Sequence, residues 1–174
     1  MEFNILTDYR SKYPEEDIVI DGVLTARVCR KCGEEQPISV FKKRGPTIER
    51  VCRSCQTSAS MDRYNNEPMF RLRMLFAQRK KFSKRNGWPF TIDFEFVRRK
   101  IEAGYCEATG LPFDMTCDYR SPFFPSFDQI EPQGGYTPEN TRVVVAVFNF
   151  AKNIWRDEDV LTMARALVAK HQDL

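Results

Sequence analysis

The apolar positions change their spacing several times along the chain, and each change predicts an element. From Pro68 to Asn86, Phe70, Leu72, Met74, Leu75 and Phe76 are set among charged residues in a helical pattern, which Asn86-Gly87 stops, with Pro89 shortly after. Phe94, Val97 and Ile101 are spaced for one buried face of a second helix over 94–103, capped by Thr91 or Asp93 and ended by Gly104. Ser126 to Ile130 alternates as a short strand, Gly134-Gly135 forces a turn, and Thr141-Arg142-Val143-Val144-Val145 has β-branched strand character. Helical spacing returns from Ala146 to Trp155, with Asn149 and Asn153 four residues apart on one face. A last helix opens on Asp157-Glu158-Asp159, continues through Val160, Leu161, Met163, Ala164, Leu167 and Val168, and is expected to pack on the preceding strands and helix.

The first third is less regular. Pro37 to Phe41 reads as a short strand or turn and Arg44-Gly45-Pro46 as a hairpin tip. Ile18-Val19-Ile20 suggests one strand in an otherwise extended, acidic arm. Cys106 to Phe113 reads as a strand start and turn. The expected fold is therefore α+β, in four segments: an arm over 1–26, a module over 27–60, a basic helical connector over 61–104, and a compact region over 105–174.

With 42% apolar residues and fourteen Phe, the chain can build a core. No apolar run approaches the roughly 18 residues of a membrane span. Met1-Glu2-Phe3-Asn4 lacks the basic-then-apolar pattern of a secretory signal, so the expectation is an intracellular protein without membrane contact. The net charge of +3 hides an asymmetry: nineteen Lys/Arg face seven Asp/Glu between residues 27 and 100, while both flanks are acidic. A basic middle suggests a surface facing a polyanion, nucleic acid above all. The other reading is a solvated helix face partnered by the acidic flanks.

Cys29-Arg30-Lys31-Cys32 and Cys52-Arg53-Ser54-Cys55 are two CxxC knuckles 19 residues apart. Each lets a tight turn aim two thiolates at one point, and together they complete a tetrahedral S₄ shell for structural Zn²⁺. Disulfides or redox chemistry fit this spacing less well in an intracellular chain. A closed four-thiolate site has no open position, so this zinc is expected to fold the module rather than catalyse. Arg27, Arg30, Lys31, Lys42, Lys43, Arg44, Arg50 and Arg53 surround it, suggesting a ribbon that contacts DNA or RNA, or else docks on a protein. In the connector, Arg71, Arg73, Arg79, Lys80, Lys81, Lys84 and Arg85 are candidate phosphate contacts, with no acid among them.

The remaining motifs are Cys106/Thr109/Gly110, then Pro125-Ser126-Phe127-Asp128-Gln129-Ile130-Glu131, then Gly135-Tyr136-Thr137-Pro138-Glu139-Asn140, and finally Asn149 with Asn153. In order and spacing they resemble phage-encoded HNH endonucleases. Those proteins carry Cys-x-x-Thr-Gly, Pro-Ser-x-Asp-(His or Arg)-Ile-Asp, Gly-Tyr-Thr-x-x-Asn-x-x-x-Val and a closing helix bearing Asn. Many also have an upstream two-CxxC zinc module. The match covers about residues 105–155.

The resemblance implies a ββα-metal core holding one Mg²⁺ or Mn²⁺ against a scissile phosphate, in a protein of a phage-infected bacterial cytoplasm. Asp128 stands where that family has its first metal-binding carboxylate, and Asn140 where an Asn braces the loop. Asn149 or Asn153 stands at the helix position that completes the site. The departure is Gln129, where the best-understood members have the His that deprotonates water; Gln has no titratable proton for that task. His171 lies in the C-terminal tail, and of Tyr119, Tyr136 and Glu131 no spacing singles one out. The expected function is thus a metal-dependent HNH-type endonuclease acting on DNA, with a catalytically inactive nucleic-acid-binding or regulatory protein as the alternative. On residue chemistry alone, Asp128 can instead be a loop cap, Asn140 a turn residue, and Asn149 and Asn153 solvent-facing. Cys106 and Cys117 can be half of a second zinc site or simply small buried hydrophobes.

Overall fold

The computed structural model describes residues 13–116 and 121–171, so Cys117, Tyr119 and the first twelve residues of the arm lie outside the described residues. The chain divides into two compact units after Asp62.

In the first unit, β1 (Asp17–Ile20), β2 (Val23–Val28) and β3 (Glu35–Pro37) form an antiparallel sheet in that order. A 3₁₀ turn over Ile38–Val40 leads to a hairpin of β4 (Phe41–Arg44) and β5 (Thr47–Cys52), and then α1 (Arg53–Asn66) begins. Gly45-Pro46 is the hairpin tip, as its sequence predicts, with Gly45 at φ +56°. The boundary expected between 26 and 27 is corrected. β2 runs straight through it, because Ala26, Arg27 and Val28 pair with β3 on one side while Arg27 and Ala26 pair with β1 on the other.

Arg27 is buried rather than part of a basic surface: its Nε donates to Asp17 Oδ1 at 2.5 Å and its Nη1 to the Ile48 carbonyl at 2.8 Å. Glu16 likewise takes Arg30, at 2.9 Å, and Arg50. Arg44 pairs with Glu49. The arm's acids thus neutralise much of the module's positive charge, leaving Lys31, Lys42, Lys43 and Arg53 exposed.

The second unit contains α2 (Pro68–Asn86), α3 (Phe94–Glu102), β6 (Pro125–Gln129), β7 (Thr141–Val145), α4 (Ala146–Lys152) and α5 (Asp157–Lys170). Pro68 starts α2 at a position whose N–H would be unsatisfied in any case. Gly87 stops it in the left-handed conformation, donating to the Lys84 carbonyl while Trp88 donates to Ser83 at 3.0 Å. Trp88 then packs edge-to-face on Phe82, the apolar contact that accompanies this helix stop. Asp93 caps α3 by accepting from the Phe96 N–H at 2.7 Å.

The core joins Leu72, Val97 and Ile101 of the two helices to Phe124, Phe127, Tyr136 and Val143. Phe76 meets Phe90, Phe94 and Phe127 edge-to-face, with ring centroids 5.1, 5.6 and 6.0 Å away. The connector expected over 61–104 is therefore not separate from the region over 105–174. Helices with so little buried surface of their own need the strand pair to cover them.

β6 and β7 pair antiparallel in unbroken register from Pro125↔Val145 to Gln129↔Thr141, and α4 follows at once. Val143 faces the helices while Val144 and Val145 pack with Cys106, so β7 is covered on both faces. Cys106 is accordingly a small buried hydrophobe. Its segment forms an isolated bridge, Tyr105↔Pro112, rather than a strand.

Two helix expectations are corrected. α4 ends at Lys152, because Asn153 takes φ +48° and leaves the helix. α5 carries its predicted acidic first turn but no buried residue, and Leu167 and Val168 are exposed. It does not pack into the core; it lies against α4 and is tied to β7 by the pair of Arg142 and Asp157.

The loop between β6 and β7 is fastened to the segment after α2. Tyr136 donates to the Pro89 carbonyl at 2.9 Å and Thr91 donates to Tyr136 at 3.0 Å. Gly135 is needed here: at φ +82°, a Cβ would run into the Pro89 carbonyl oxygen and lie 2.6 Å from its ring. Gly135→Ala is expected to cost at least about 1–2 kcal/mol from the left-handed backbone alone, read as a lower denaturant midpoint. A midpoint equal to that of the wild type would mean that the loop does not rest on Pro89.

Candidate functional site

The four cysteines of the first unit converge as their spacing predicts. Cys29, Cys32, Cys52 and Cys55 place their sulfurs within 4.8 Å of one another, and none is in a disulfide. The donor set fits Zn²⁺, for which tetrahedral bonds of about 2.3 Å put the sulfurs roughly 3.8 Å apart. Cys29 Sγ accepts from the N–H groups of Cys52 at 3.3 Å and Lys31 at 3.4 Å. Burial pushes the Cys29 thiol up, but the backbone N–H groups of Cys52, Cys32 and Lys31 outweigh it and bring it down to about 6. The neighbouring Cys52 sulfur, with burial, pushes Cys55 up to about 12. Four thiolates cannot coexist so closely without a cation between them; a bound metal would hold all four deprotonated. The first unit's apolar core is small, a cluster of Cys29, Phe41 and Cys52 with Leu24 buried besides, so a bound metal would supply much of its stability.

In the second unit a groove of about 760 Å³ runs along the strand pair and α4, opposite α2. Asp128, Gln129 and Asn149 line it, with Arg79 from α2. The tertiary structure separates the two helix asparagines. Asn149 turns toward the strands, its Nδ2 donating to Ser126 Oγ at 2.7 Å and to the Phe127 carbonyl at 3.2 Å. Asn153 is exposed at the end of α4, though it also lines the groove.

Asn140 braces the loop. Its Oδ1 accepts from the Glu131 N–H at 2.8 Å, and its Nδ2 donates to the carbonyls of Gly135 at 2.8 Å and Glu131 at 3.1 Å. Gln129 folds back onto the same loop: its Oε1 accepts from the Gln133 N–H at 2.8 Å, which fixes the orientation of the amide.

Asp128 is the residue whose surroundings the sequence does not announce. It is 3% exposed and both carboxylate oxygens are engaged. Arg142 Nε donates to Oδ2 at 2.7 Å, and Lys152 Nζ donates to Oδ1 at 3.2 Å. Lys152 is wholly buried and also donates to the Gln129 carbonyl at 2.5 Å. The other edge of the Arg142 guanidinium holds Asp157 at 2.7 and 2.6 Å. That bond, against some burial, holds the Asp157 carboxyl below its ordinary range, and Asp157 in turn raises Arg142 despite its burial. Two acids and two bases close into one neutral network. Arg142 and Lys152 were missed in the sequence; a signal was available in the cations fourteen and twenty-four residues after Asp128, but only folding shows that they meet it.

Hard dications such as Mg²⁺ and Mn²⁺ need several oxygen ligands, with one or more carboxylates among them. Asp128 is the one acidic side chain among the described residues lining the groove, and both its oxygens already face cations of the chain. Among the described residues, the four-cysteine cluster is the one group of acids, cysteines and histidines arranged to hold a metal. The residues around Asp128, as arranged, do not fit a divalent ion.

Candidate phosphate contacts also divide. Arg71 is buried at the groove's wall, donating to the carbonyls of Tyr64 at 3.0 Å and Asn65 at 3.2 Å, so most of its hydrogen bonding is spent on the packing. Arg73, Arg79, Lys80, Lys81, Lys84 and Arg85 are exposed, as expected. Tyr136 is buried, and His171 is exposed at the end of α5. No helix among the described residues is long and apolar enough to cross a membrane. No family model, no curated protein and no solved structure matches the chain.

Chelating the metal from purified protein is expected to remove the cooperative melting of the first unit, since binding free energy at such sites reaches about 10–16 kcal/mol. An unchanged melting profile after verified zinc loss would show that the cysteines are not its staple. Asp128→Ala is expected to lose about 3–5 kcal/mol, because it leaves the Lys152 ammonium buried without a counter-charge. Denaturant unfolding checks this: Lys152→Met added to Asp128→Ala should restore part of the loss, and an additive pair would refute the coupling.

Proposed function

We propose that this chain is a nucleic-acid-binding protein built on an HNH-like ββα hairpin, with its groove resting on a phosphodiester backbone. The observation that carries this reading is the charge of the groove. Its single described acid is neutralised by Arg142 and Lys152, and among apolar and aromatic neighbours the groove is also lined by Arg71, Arg79 and the amides of Gln129, Gln133, Asn149 and Asn153. Such groups serve backbone recognition, where Arg, Asn, Gln and main-chain N–H groups take most phosphate contacts. Lys80, Lys81, Lys84 and Arg85 extend the positive charge along α2. Trp88 and Phe82 also line the groove and offer ring faces to sugars or bases. DNA is the partner suggested by the sequence motifs.

A second reading is hydrolysis of that backbone by an HNH-type endonuclease of phage character, using Mg²⁺ or Mn²⁺. It is favoured by one arrangement: Asp128, Gln129 and Asn149 line one groove, beside a loop braced by Asn140. Two features weigh against it. Gln129 cannot take a proton from water, and Asp128 is already paired.

The test is binding of labelled duplex and branched DNA across a salt series, with cleavage followed in Mg²⁺ or Mn²⁺. Binding is expected to weaken steeply with salt, without cutting. Reversing Arg79, Lys80 and Lys81 to Glu should flatten the logarithmic salt slope by roughly three, about 0.9 per phosphate contact. An unaltered slope would mean that α2 faces something else. Metal-dependent cutting that follows the protein through purification would establish the second reading.

A further inference from the structure

Lysine is a strongly hydrated point charge, and burying it without a partner is costly. Lys152 is nonetheless fully buried at the end of α4. Its ammonium bridges two oxygens, Asp128 Oδ1 at 3.2 Å and the Gln129 carbonyl at 2.5 Å. A carboxylate and a main-chain carbonyl converging on one cation are the kind of oxygen donors a hard metal ion also uses. Arg142 takes the other carboxylate oxygen and is itself anchored by Asp157. The cation beside Asp128 is therefore supplied by the chain, from two elements, with every strong bond made inside the protein.

We propose that Lys152 is a resident cation: its ammonium fills the place beside Asp128 where a divalent ion would otherwise sit, so that the hairpin engages nucleic acid without Mg²⁺ or Mn²⁺. Lys152 is a positioning residue in this arrangement, since burial keeps it from touching a ligand. It ties α4 to the end of β6, and so sets where Asn149 and Gln129 stand on the groove. The inference rests on the nucleic-acid reading for its consequence, but the cation seat itself can be tested without any nucleic acid.

The experiment uses the full chain, zinc-loaded, exchanged into buffer free of other divalent ions and of chelator. Mn²⁺ is titrated in and the free ion followed by electron paramagnetic resonance, for wild type, Lys152→Gln, and the doubly neutral Asp128→Asn/Lys152→Met, each checked for fold by circular dichroism. Wild type is expected to bind no more Mn²⁺ than the doubly neutral protein, and Lys152→Gln to gain one equivalent. One equivalent bound by wild type and absent from the doubly neutral protein would overturn the proposal, whether or not Lys152→Gln folds. A folded Lys152→Gln that gains no Mn²⁺ would also overturn it.

In parallel, DNA affinity of the wild type is measured with and without Mg²⁺ at constant ionic strength, which holds the counterion contribution fixed. A change within about twofold is expected. A loss of about tenfold or more on omitting Mg²⁺ would overturn metal independence. Absence of DNA binding under both conditions would instead remove the nucleic-acid reading, while the Mn²⁺ titration would still decide the seat.

Discussion

The second unit is organised around one buried carboxylate. Asp128 on β6 is reached by Arg142 from β7 and Lys152 from α4, and Arg142 passes the link on to Asp157 at the start of α5. A charge taken out of water must be compensated where it lies, or the fold loses several kcal/mol. That constraint adds to the unbroken strand pairing and to the buried Phe127, Val143, Val144 and Val145 in holding the two strands and the helix together. It also decides what the groove can do, because the carboxylate that would attract a metal ion is already satisfied.

The first unit answers a different shortage. A sheet of three short strands and a two-stranded hairpin bury very little, and the buried cluster is essentially Cys29, Phe41 and Cys52. The convergent thiolates are placed so that a bound metal would make up for the missing core. The acidic segment before β1 is part of this unit rather than an appendage: Glu16 and Asp17 hold Arg30, Arg50 and Arg27. The arginines around the knuckles therefore stiffen the module internally. The exposed positive charge lies instead on Lys31, Lys42, Lys43, Arg44 and Arg53 and along α2.

Asn140 and Gly135 show how a loop can be made rigid without secondary structure. One amide satisfies an N–H and two carbonyls of the turn, and a residue with no Cβ lets the turn lie against Pro89. The outcome is a fixed edge to the groove, on which Gln129 also anchors through Gln133. A preorganised surface of this kind suits backbone recognition, because few groups need to be ordered when a ligand arrives.

Sequence alone determined whatever depends on local spacing. The CxxC pairs aim their sulfurs through their own turns, Pro68 and Gly87 bound α2 by their own backbone preferences, Asp93 caps α3, and the alternation from Ser126 and the β-branched run of 141–145 make strands, the first of them over Pro125–Gln129. Tertiary structure decided which charges are surface and which are core. Arg27, Arg71 and Lys152 read in the chain like any other basic residue, yet each is buried against partners that only folding brings to it: Asp17 and the Ile48 carbonyl, the Phe124 ring, and Asp128. The same holds for Asn149 over Asn153, separated by a backbone turn at the end of α4, and for α5, whose apolar residues find no core to enter. Local propensity acts through neighbours in sequence. Compensation of a buried charge depends on neighbours in space, and those exist only once the chain has folded.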